Sequence, residues 1–548
     1  MTGGEAMIRA AAANGTDTIF GLPGAQIYPM FDAIYRDPNI REVISRHEQG
    51  AAYMAYGYAK ATGRPGVFSV VPGPGILNAS AALCTADGCN QPVLCLTGQI
   101  MSEFLGKGRG HLHELDDQTA TMATIVKHAD HIADPTRAPQ QINEAFRQML
   151  SGRPGPATIS MCWDTMAATY DVDVGPGNTQ IDKPEVDLDA VKDAAKLVGG
   201  AKKIMIMCGG GAQHASEEVR ELAELLGASV TAFRSGRGVV AEDHPCGASA
   251  AAARELWKDT DLLIGVGSRL ELQFMRWGSM AHYFDAPPPG SPQVIRIDID
   301  PQEMARFRPD VGVVADAVDG TRALIDEIHR QGHTPGDLER IAAAKAVARK
   351  QIEAIQPQLS YLDVIRDVLP RDGYLVEELC QVGFTSNFGF PVYEPRTYVS
   401  TGYQGTLGFG FPTAIGVKAG MPDRAVVSII GDGGFLFGVA ELASAVQHQI
   451  GLVTVIFNNS SYGNVRRDQM TQYEGRIIGS ELDNPDMVRL AESFGADAYR
   501  VASPDALKPV LAKAIDNDRP AIIDVTIERG TEASPWKFIA APAPGVSQ

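Results

Sequence analysis

The chain of 548 residues predicts an α/β fold of three doubly wound parallel-sheet domains. Two observations point there. Short apolar runs recur along the chain, continuous rather than alternating in polarity, as in strands buried on both faces. Helical stretches alternate with them, the pattern of parallel strands joined by crossover helices. At roughly one to two hundred residues per domain, the length suggests about three domains.

The runs, in order, are "GVFSVV" from Gly66, "PVLCLTG" from Pro92, "KIMIMCGGG" from Lys203, "DLLIGVG" from Asp261, "VIRIDID" from Val294, "AVVSIIGDG" from Ala425 and "LVTVIFNN" from Leu452. Several end in glycine or a polar residue. Two stretches read as linkers: 166–188, rich in Asp, Gly and Pro, and 331–357, a turn leading into a polar helix. They divide the chain into 1–165, 189–330 and 358–530, with a tail over 531–548. No short repeat is visible, although the first and third segments could share a fold.

Composition excludes several classes. With 45% hydrophobic and 21% charged residues the chain is globular. Its net charge of −18 argues against nucleic acid or an anionic membrane as a general partner. No apolar run approaches the roughly twenty residues of a membrane span. The opening "MTGGEAMIRAAAANG" lacks the charged-then-apolar pattern of a signal peptide, so a cytoplasmic protein is expected. The seven cysteines are odd in number and form no CxxC pair, which favours buried thiols over disulfides or zinc.

The chemistry centres on "GDGGFLFGVAELASAVQHQIGLVTVIFNN", Gly431 to Asn459. Asp432 follows an apolar strand, so it stands at a carboxyl edge, where open α/β sheets place ligands. Gly431, Gly433 and Gly434 allow a tight turn and close approach of a ligand. The following residues read as one helix whose N-terminal amides favour an anion. The next strand ends in Asn458 and Asn459. A carboxylate and an amide oxygen on neighbouring strands are hard ligands suited to Mg²⁺ or Ca²⁺. With helix-end amides they make a magnesium–diphosphate site.

This stretch resembles the thiamine-diphosphate motif, GDG followed by Asn; here 25 residues separate Gly433 from Asn459. Over essentially its whole length the chain resembles the acetolactate synthase-like branch of thiamine-diphosphate enzymes, which includes benzaldehyde lyase and related carboligases. The resemblance implies a pyrimidine-binding first domain, a Rossmann-like middle domain and a diphosphate-binding third domain. It implies that Asp432, the Asn459 side chain and the Ser461 carbonyl coordinate Mg²⁺. "STGYQGTLGFGFPTAIGVKAG" (400–420) resembles the stretch holding the aminopyrimidine, with Leu407 as the wedge and the Gly405 carbonyl as acceptor. "LCQV" (379–382) places Gln381 at the diphosphate, and Tyr462, Gly463 and Asn464 line the cofactor. "SRHEQGAAYMAYGYAKATGRPGV" makes Glu48 the carboxylate that meets the aminopyrimidine ring. "VPGPGILNA" (71–79) resembles the loop usually written SGPGxxN. In this family Glu48 and the diphosphate site come from different subunits, implying a homodimer or homotetramer.

The pocket residues depart from the pattern. "GLPGAQIYPMFDAI" puts Gln26 where acetolactate synthases carry a small residue and aldehyde lyases often a histidine. Gln26 both donates and accepts hydrogen bonds but is no base at neutral pH. "GRGHLHELDDQ" (108–118) puts His113 at an active-site glutamine, with His111 nearby and Leu112 replacing an aromatic; a histidine there suits proton transfer near pH 7. Asn464 replaces an apolar methionine, so the pocket is more polar, and Trp536 of "SPWKF" is a candidate lid residue. The middle segment lacks the GMHG-like loop of flavin-carrying relatives. Arg269 survives, and Gln273 stands where a second arginine is expected, so FAD is possible but not favoured. "MCGGGAQ" (207–213) is a glycine turn of weak dinucleotide character.

The expected function is a thiamine-diphosphate and Mg²⁺ enzyme acting on C–C bonds beside a carbonyl. The first reading is a 2-oxo-acid (pyruvate-type) decarboxylating carboligase. The alternative is a lyase, hydrolase or decarboxylase of 1,2-diketones or 2-hydroxy ketones. A noncatalytic cofactor-binding subunit and a flavin-linked oxidase are further possibilities; retention of Glu48, Asp432 and Asn459 argues against the first of these.

Overall fold

The computed structural model describes residues 1–178, 180–272, 277, 290–306 and 308–539. Its strands form three wholly parallel sheets. The first holds β1 (Thr18–Gly21), β2 (Arg41–Ile44), β3 (Gly66–Val70), β4 (Val93–Gln99), β5 (His128–Ile132) and β6 (Ala157–Cys162), in the order β2-β1-β3-β4-β6-β5. The middle sheet holds β7 (Ile204–Cys208), β8 (Ser229–Thr231), β9 (Leu262–Val266), β10 (Gln293–Asp298) and β11 (Val311–Val314), in the order β11-β10-β9-β7-β8. The third holds β12 (Tyr374–Glu377), β13 (Tyr398–Val399), β14 (Val426–Gly431), β15 (Val453–Asn458), β16 (Asp497–Val501) and β17 (Ala521–Thr526), in the order β13-β12-β14-β15-β17-β16. Counted from their own first strands, the first and third sheets have the same order, so the two segments share one topology.

Each continuous apolar run became a strand, and β4 is buried along its length. The strands without such a run include the edges: β2 is mostly exposed or half-buried, and β5 half-buried over most of its length. Their polar residues face water on one side, which hides them from a search for doubly buried strands.

The first and third domains share one core. The helix Glu48–Thr62 is buried almost all round and packs along the helix Gly410–Gly420. Glycine at the crossing lets backbone meet backbone: a Cβ on Gly57 would lie 2.1 Å from the Thr413 carbonyl oxygen, and one on Gly416 would lie 1.9 Å from that of Met54. Tyr53, Phe409 and Tyr56 stack edge-on across this seam, and the Tyr53 hydroxyl lies 3.0 Å from Thr406 Oγ1. The middle domain is tied in by Arg237, 2% exposed, which donates to Glu242 and to the Ser386 carbonyl and lies over the Tyr398 ring.

The expected polar helix after the middle domain is Leu338–Ile352, and it is not solvent-bound all round. Ile341, Ala344, Ala348 and Ile352 bury one stripe, and the helix packs against Ala250–Trp257. All seven cysteines are free thiols. Among the described residues no helix is long and apolar enough to cross a membrane.

Candidate active site

Three adjacent strands of the third sheet, β12, β14 and β15, deliver the site to one carboxyl edge. Past β12, Cys380 caps a helix that opens at Gln381 (Gln381–Gly389). Past β14, Asp432 opens the helix Asp432–Gly438, with Gly431 as its cap. Past β15 comes the Asn458–Asn459 pair. Gly431 is in register with Phe457, so Asp432 and Asn459 leave neighbouring strands within two residues of each other's level.

The single helix expected after Asp432 is two short ones, Asp432–Gly438 and Glu441–Gln447. Gly431 has an ordinary φ of −78°, and neither Gly433 nor Gly434 has a positive φ. What they permit is contact with protein: a Cβ on Gly433 would lie 2.4 Å from the Tyr462 ring, and one on Gly434 would lie 2.0 Å from Glu378 Oε1.

The two asparagines divide their work. Asn458 turns into the domain, donating to Asp524, which also accepts from Arg500. Asn459 Nδ2 donates to Glu532 at 2.6 Å, and its Oδ1 accepts from the Ser461 amide and hydroxyl. Asp432 is 1% exposed, and burial raises its carboxyl above the ordinary value although Asn484 donates to it at 2.6 Å. Glu532, pushed up to about 7 chiefly by burial and also by the Asp432 charge, adds a second carboxyl nearby. Asp432 accepts from Asn484 and Glu532 from Asn459, neutral amides that leave both carboxyl charges uncompensated, and carboxylate oxygens of this kind suit a hard divalent cation. Among the described residues no group of three or more His, Cys, Asp or Glu side chains gathers as a metal cluster. Gln381, 7% exposed, keeps a buried amide oxygen without a partner.

The loop before Gly410–Gly420 is held from below by Glu378. Its carboxylate accepts from the amides of Gly408 at 2.9 Å and Gly410 at 2.5 Å, on either side of Phe409 and directly after the half-buried Leu407. Gly405 and Gly408 adopt left-handed backbone, φ +58° and +79°. After β15, Tyr462, Gly463 and Asn464 start the helix Gly463–Gln472. Trp536 donates from Nε1 to Asn464 Oδ1 at 2.7 Å and packs on Phe384, so it braces this turn.

In the first domain Glu48 opens its helix, half-buried, and accepts from Asn78 Nδ2 at 3.0 Å. Asn78 comes from "VPGPGILNA", which explains that motif. Gly73 has φ +61°, and its amide is held by Gln118, which also donates to the Gly98 carbonyl. On the other side of this turn, Gln26 and His113 are bonded to each other at 2.7 Å. His111 points elsewhere, stacked on Phe104 at 3.9 Å. Within one chain Glu48 does not bond to Asp432 or Asn459; the third domain meets its neighbourhood through Glu441, which accepts from the amides of Arg46 and His47.

Comparison with known proteins decides the family. Residues 1–121, 191–324 and 380–525 match, in turn, the N-terminal TPP binding domain, the central domain and the C-terminal TPP binding domain of thiamine pyrophosphate enzymes. The chain belongs to the thiamine pyrophosphate enzyme family. It is 33% identical to a probable acetolactate synthase large subunit of Methanocaldococcus jannaschii, over 96% of this chain and 92% of that protein. It is 32% identical to the acetolactate synthase large subunit of Corynebacterium glutamicum, over 99% and 89%. It is 33% identical to a probable 2-ketoarginine decarboxylase of Pseudomonas aeruginosa, over 93% and 91%.

This thiamine-diphosphate enzyme also has a cavity of about 380 Å³ where the first and middle domains meet, lined by Gly210, Gly211, Arg269, Asp298 and Arg396 among others. The "MCGGGAQ" turn and Arg269 thus face one space; Gln273 lies outside the described residues. Sequence reading missed Asn78, Gln118, Glu378, Asn484 and Glu532. Asn78 and Gln118 were inside quoted motifs. The other three act through partners far away in sequence.

Proposed function

We propose that this enzyme is a Mg²⁺- and thiamine-diphosphate-dependent decarboxylating carboligase using a 2-oxo acid of the pyruvate type. The observation that carries it is the convergence of Gln381, Asp432 and Asn459 at one edge of β12, β14 and β15, with buried carboxyls suited to a cation. Similarity to two acetolactate synthase large subunits supports the reaction class.

Asp432, Asn459 Oδ1 and the Ser461 carbonyl would hold Mg²⁺. Gln381 and the 431–434 turn would face the diphosphate, beside Tyr462, Gly463 and Asn464. Leu407 and the Gly405 carbonyl would fix the aminopyrimidine. Bound thiamine diphosphate supplies a nucleophilic carbon and an electron sink. Glu48 would hold the proton at the aminopyrimidine nitrogen, oriented by Asn78. Because Glu48 does not bond to the metal residues of its own chain, we infer that a second subunit brings the two halves together, in a homodimer or homotetramer. We assign no redox role to FAD.

The test is pyruvate turnover with thiamine diphosphate and Mg²⁺, products identified by mass spectrometry, with Glu48→Gln as control. Acetolactate or acetoin from the unmodified enzyme alone is expected. Acetaldehyde alone would favour a second reading, decarboxylation without ligation, which the likeness to a probable 2-ketoarginine decarboxylase supports. No turnover despite cofactor binding would exclude pyruvate and turn attention to diketones and 2-hydroxy ketones.

A further inference from the structure

Gln26 and His113 form a clamp whose hydrogen-bond directions can be assigned. Gln26 is 4% exposed. Both residues have left-handed backbone, φ +73° and +67°, which L side chains rarely adopt. Gln26 Nε2 donates to the Leu112 carbonyl at 2.8 Å. A carbonyl oxygen only accepts, so the nitrogen of the Gln26 amide is the atom facing Leu112, and Oε1 is the atom facing His113. Oε1 also only accepts. The proton of a neutral His113 ring therefore belongs on Nδ1, 2.7 Å away. Nε2, on the far side of the ring, then carries a bare lone pair, and among the described residues it makes no hydrogen bond.

The clamp sits beside the cofactor carboxylate. A Cβ on Gly73 would lie 2.6 Å from the His113 carbonyl oxygen, and one on Gly75 would lie 3.6 Å from Glu48 Oε1. His113 and Glu48 thus flank one turn. Leu112 and His113 belong to one loop, so a single glutamine fixes both the loop and the ring.

We propose that Gln26 is a positioning residue that holds neutral His113 as the Nδ1–H tautomer, so that Nε2 accepts a hydrogen bond from the hydroxyl of a 2-hydroxy ketone. The placement near the reacting carbon rests on the active-site reading above; the tautomer does not. A lone pair suits a hydroxyl, which has a proton to offer. It does not suit an ionised carboxylate, which has none. The ligand class is the product of a ligation or the substrate of its reversal.

The experiment is ¹H–¹⁵N correlation NMR of the full-length enzyme with ¹⁵N-labelled histidine at alkaline pH, with His113→Asn to assign the signal. The unmodified enzyme without cofactor should show a protonated Nδ1 and a bare Nε2. Gln26→Leu should exchange these two signals in part or wholly, and Gln26→Glu, which keeps an acceptor, should restore them. A protonated Nε2 in the unmodified enzyme would overturn the proposal even if Gln26→Leu fails to fold. An unchanged tautomer in Gln26→Leu would overturn the role of Gln26. With thiamine diphosphate and Mg²⁺ bound, acetoin should shift Nε2 in the unmodified enzyme and not in Gln26→Leu; a shift from pyruvate but not acetoin would overturn the ligand class. The cofactor-free tautomer is read without turnover, so failure of the catalytic reading and failure of the clamp are distinguishable.

Discussion

Glu377 ends β12 and Glu378 follows it, both buried and both pushed up to about 7 by desolvation. They face opposite ways. Glu378 holds the amides of Gly408 and Gly410; Glu377 feels Arg234 and Arg237 of the middle domain. Glu378→Ala would strand two buried amides, at about 1–3 kcal/mol each. A drop in thermal midpoint and roughly tenfold weaker thiamine diphosphate binding are expected, measured by scanning calorimetry and titration calorimetry. Glu377 sets a pH trend. Its folded value lies above the ordinary 4.5, so between about 4.5 and 7 the folded state keeps a proton that the unfolded state has released. Stability should therefore fall as pH rises through that window, by an order of 2–3 kcal/mol for this group. Thermal melts from pH 5 to pH 8 should show a shallower fall in Glu377→Gln. Neither glutamate drew notice in the sequence. A carboxylate's burial depends on what folds over it, and here the cover comes from residues 400–410, from Gly434 and from the middle domain. Asp432 and Asn459 were legible because each ends an apolar run.

At the scale of elements, the seam between Glu48–Thr62 and Gly410–Gly420 joins the two cofactor-binding domains. Both helices are apolar nearly all round, the sign of an element buried on every side rather than an amphipathic surface helix. Gly57→Ala would drive a methyl into the Thr413 carbonyl. Overpacking of this kind costs about 1–3 kcal/mol or more. The expected outcome is a lower thermal midpoint with cofactor affinity reduced as well, because the shift propagates to Glu48 at one end and to the 405–409 loop at the other. A melt and a cofactor titration check it; unchanged values would show that the helices yield without cost. The seven doubly buried strands were readable from the sequence. The edge strands were harder to read: β2 and β5 carry exposed or half-buried polar residues, and β8 and β13, though buried, are only three and two residues long. The break between Asp432–Gly438 and Glu441–Gln447 carries no proline to mark it.

For the whole molecule, the matching strand order of the first and third sheets is the feature that sequence left open. No repeat survives in the residues, because topology is kept by the positions of apolar runs and not by their identities. The shared order presents equivalent carboxyl edges, one with Glu48 and the other with Asp432. If two chains complete each site, Glu48→Gln and Asp432→Ala should each be inactive, yet co-expressed chains should recover activity. Random pairing makes half the dimers hybrid, each with one intact site of two, so about a quarter of full activity is expected. Turnover of purified mixed enzyme checks this, and no recovery would place both groups in one chain's site.

We infer that Glu48 activates thiamine diphosphate held by Asp432 and Asn459. The most direct measurement needs no substrate: the rate at which the C2 proton of bound thiamine diphosphate exchanges with deuterium, followed by quenched-flow NMR with Mg²⁺ present. Exchange far faster than for the free cofactor is expected, with a fall of about a hundredfold or more in Glu48→Gln while the cofactor remains bound. Equal exchange in the two proteins, or none above the free rate, would contradict it.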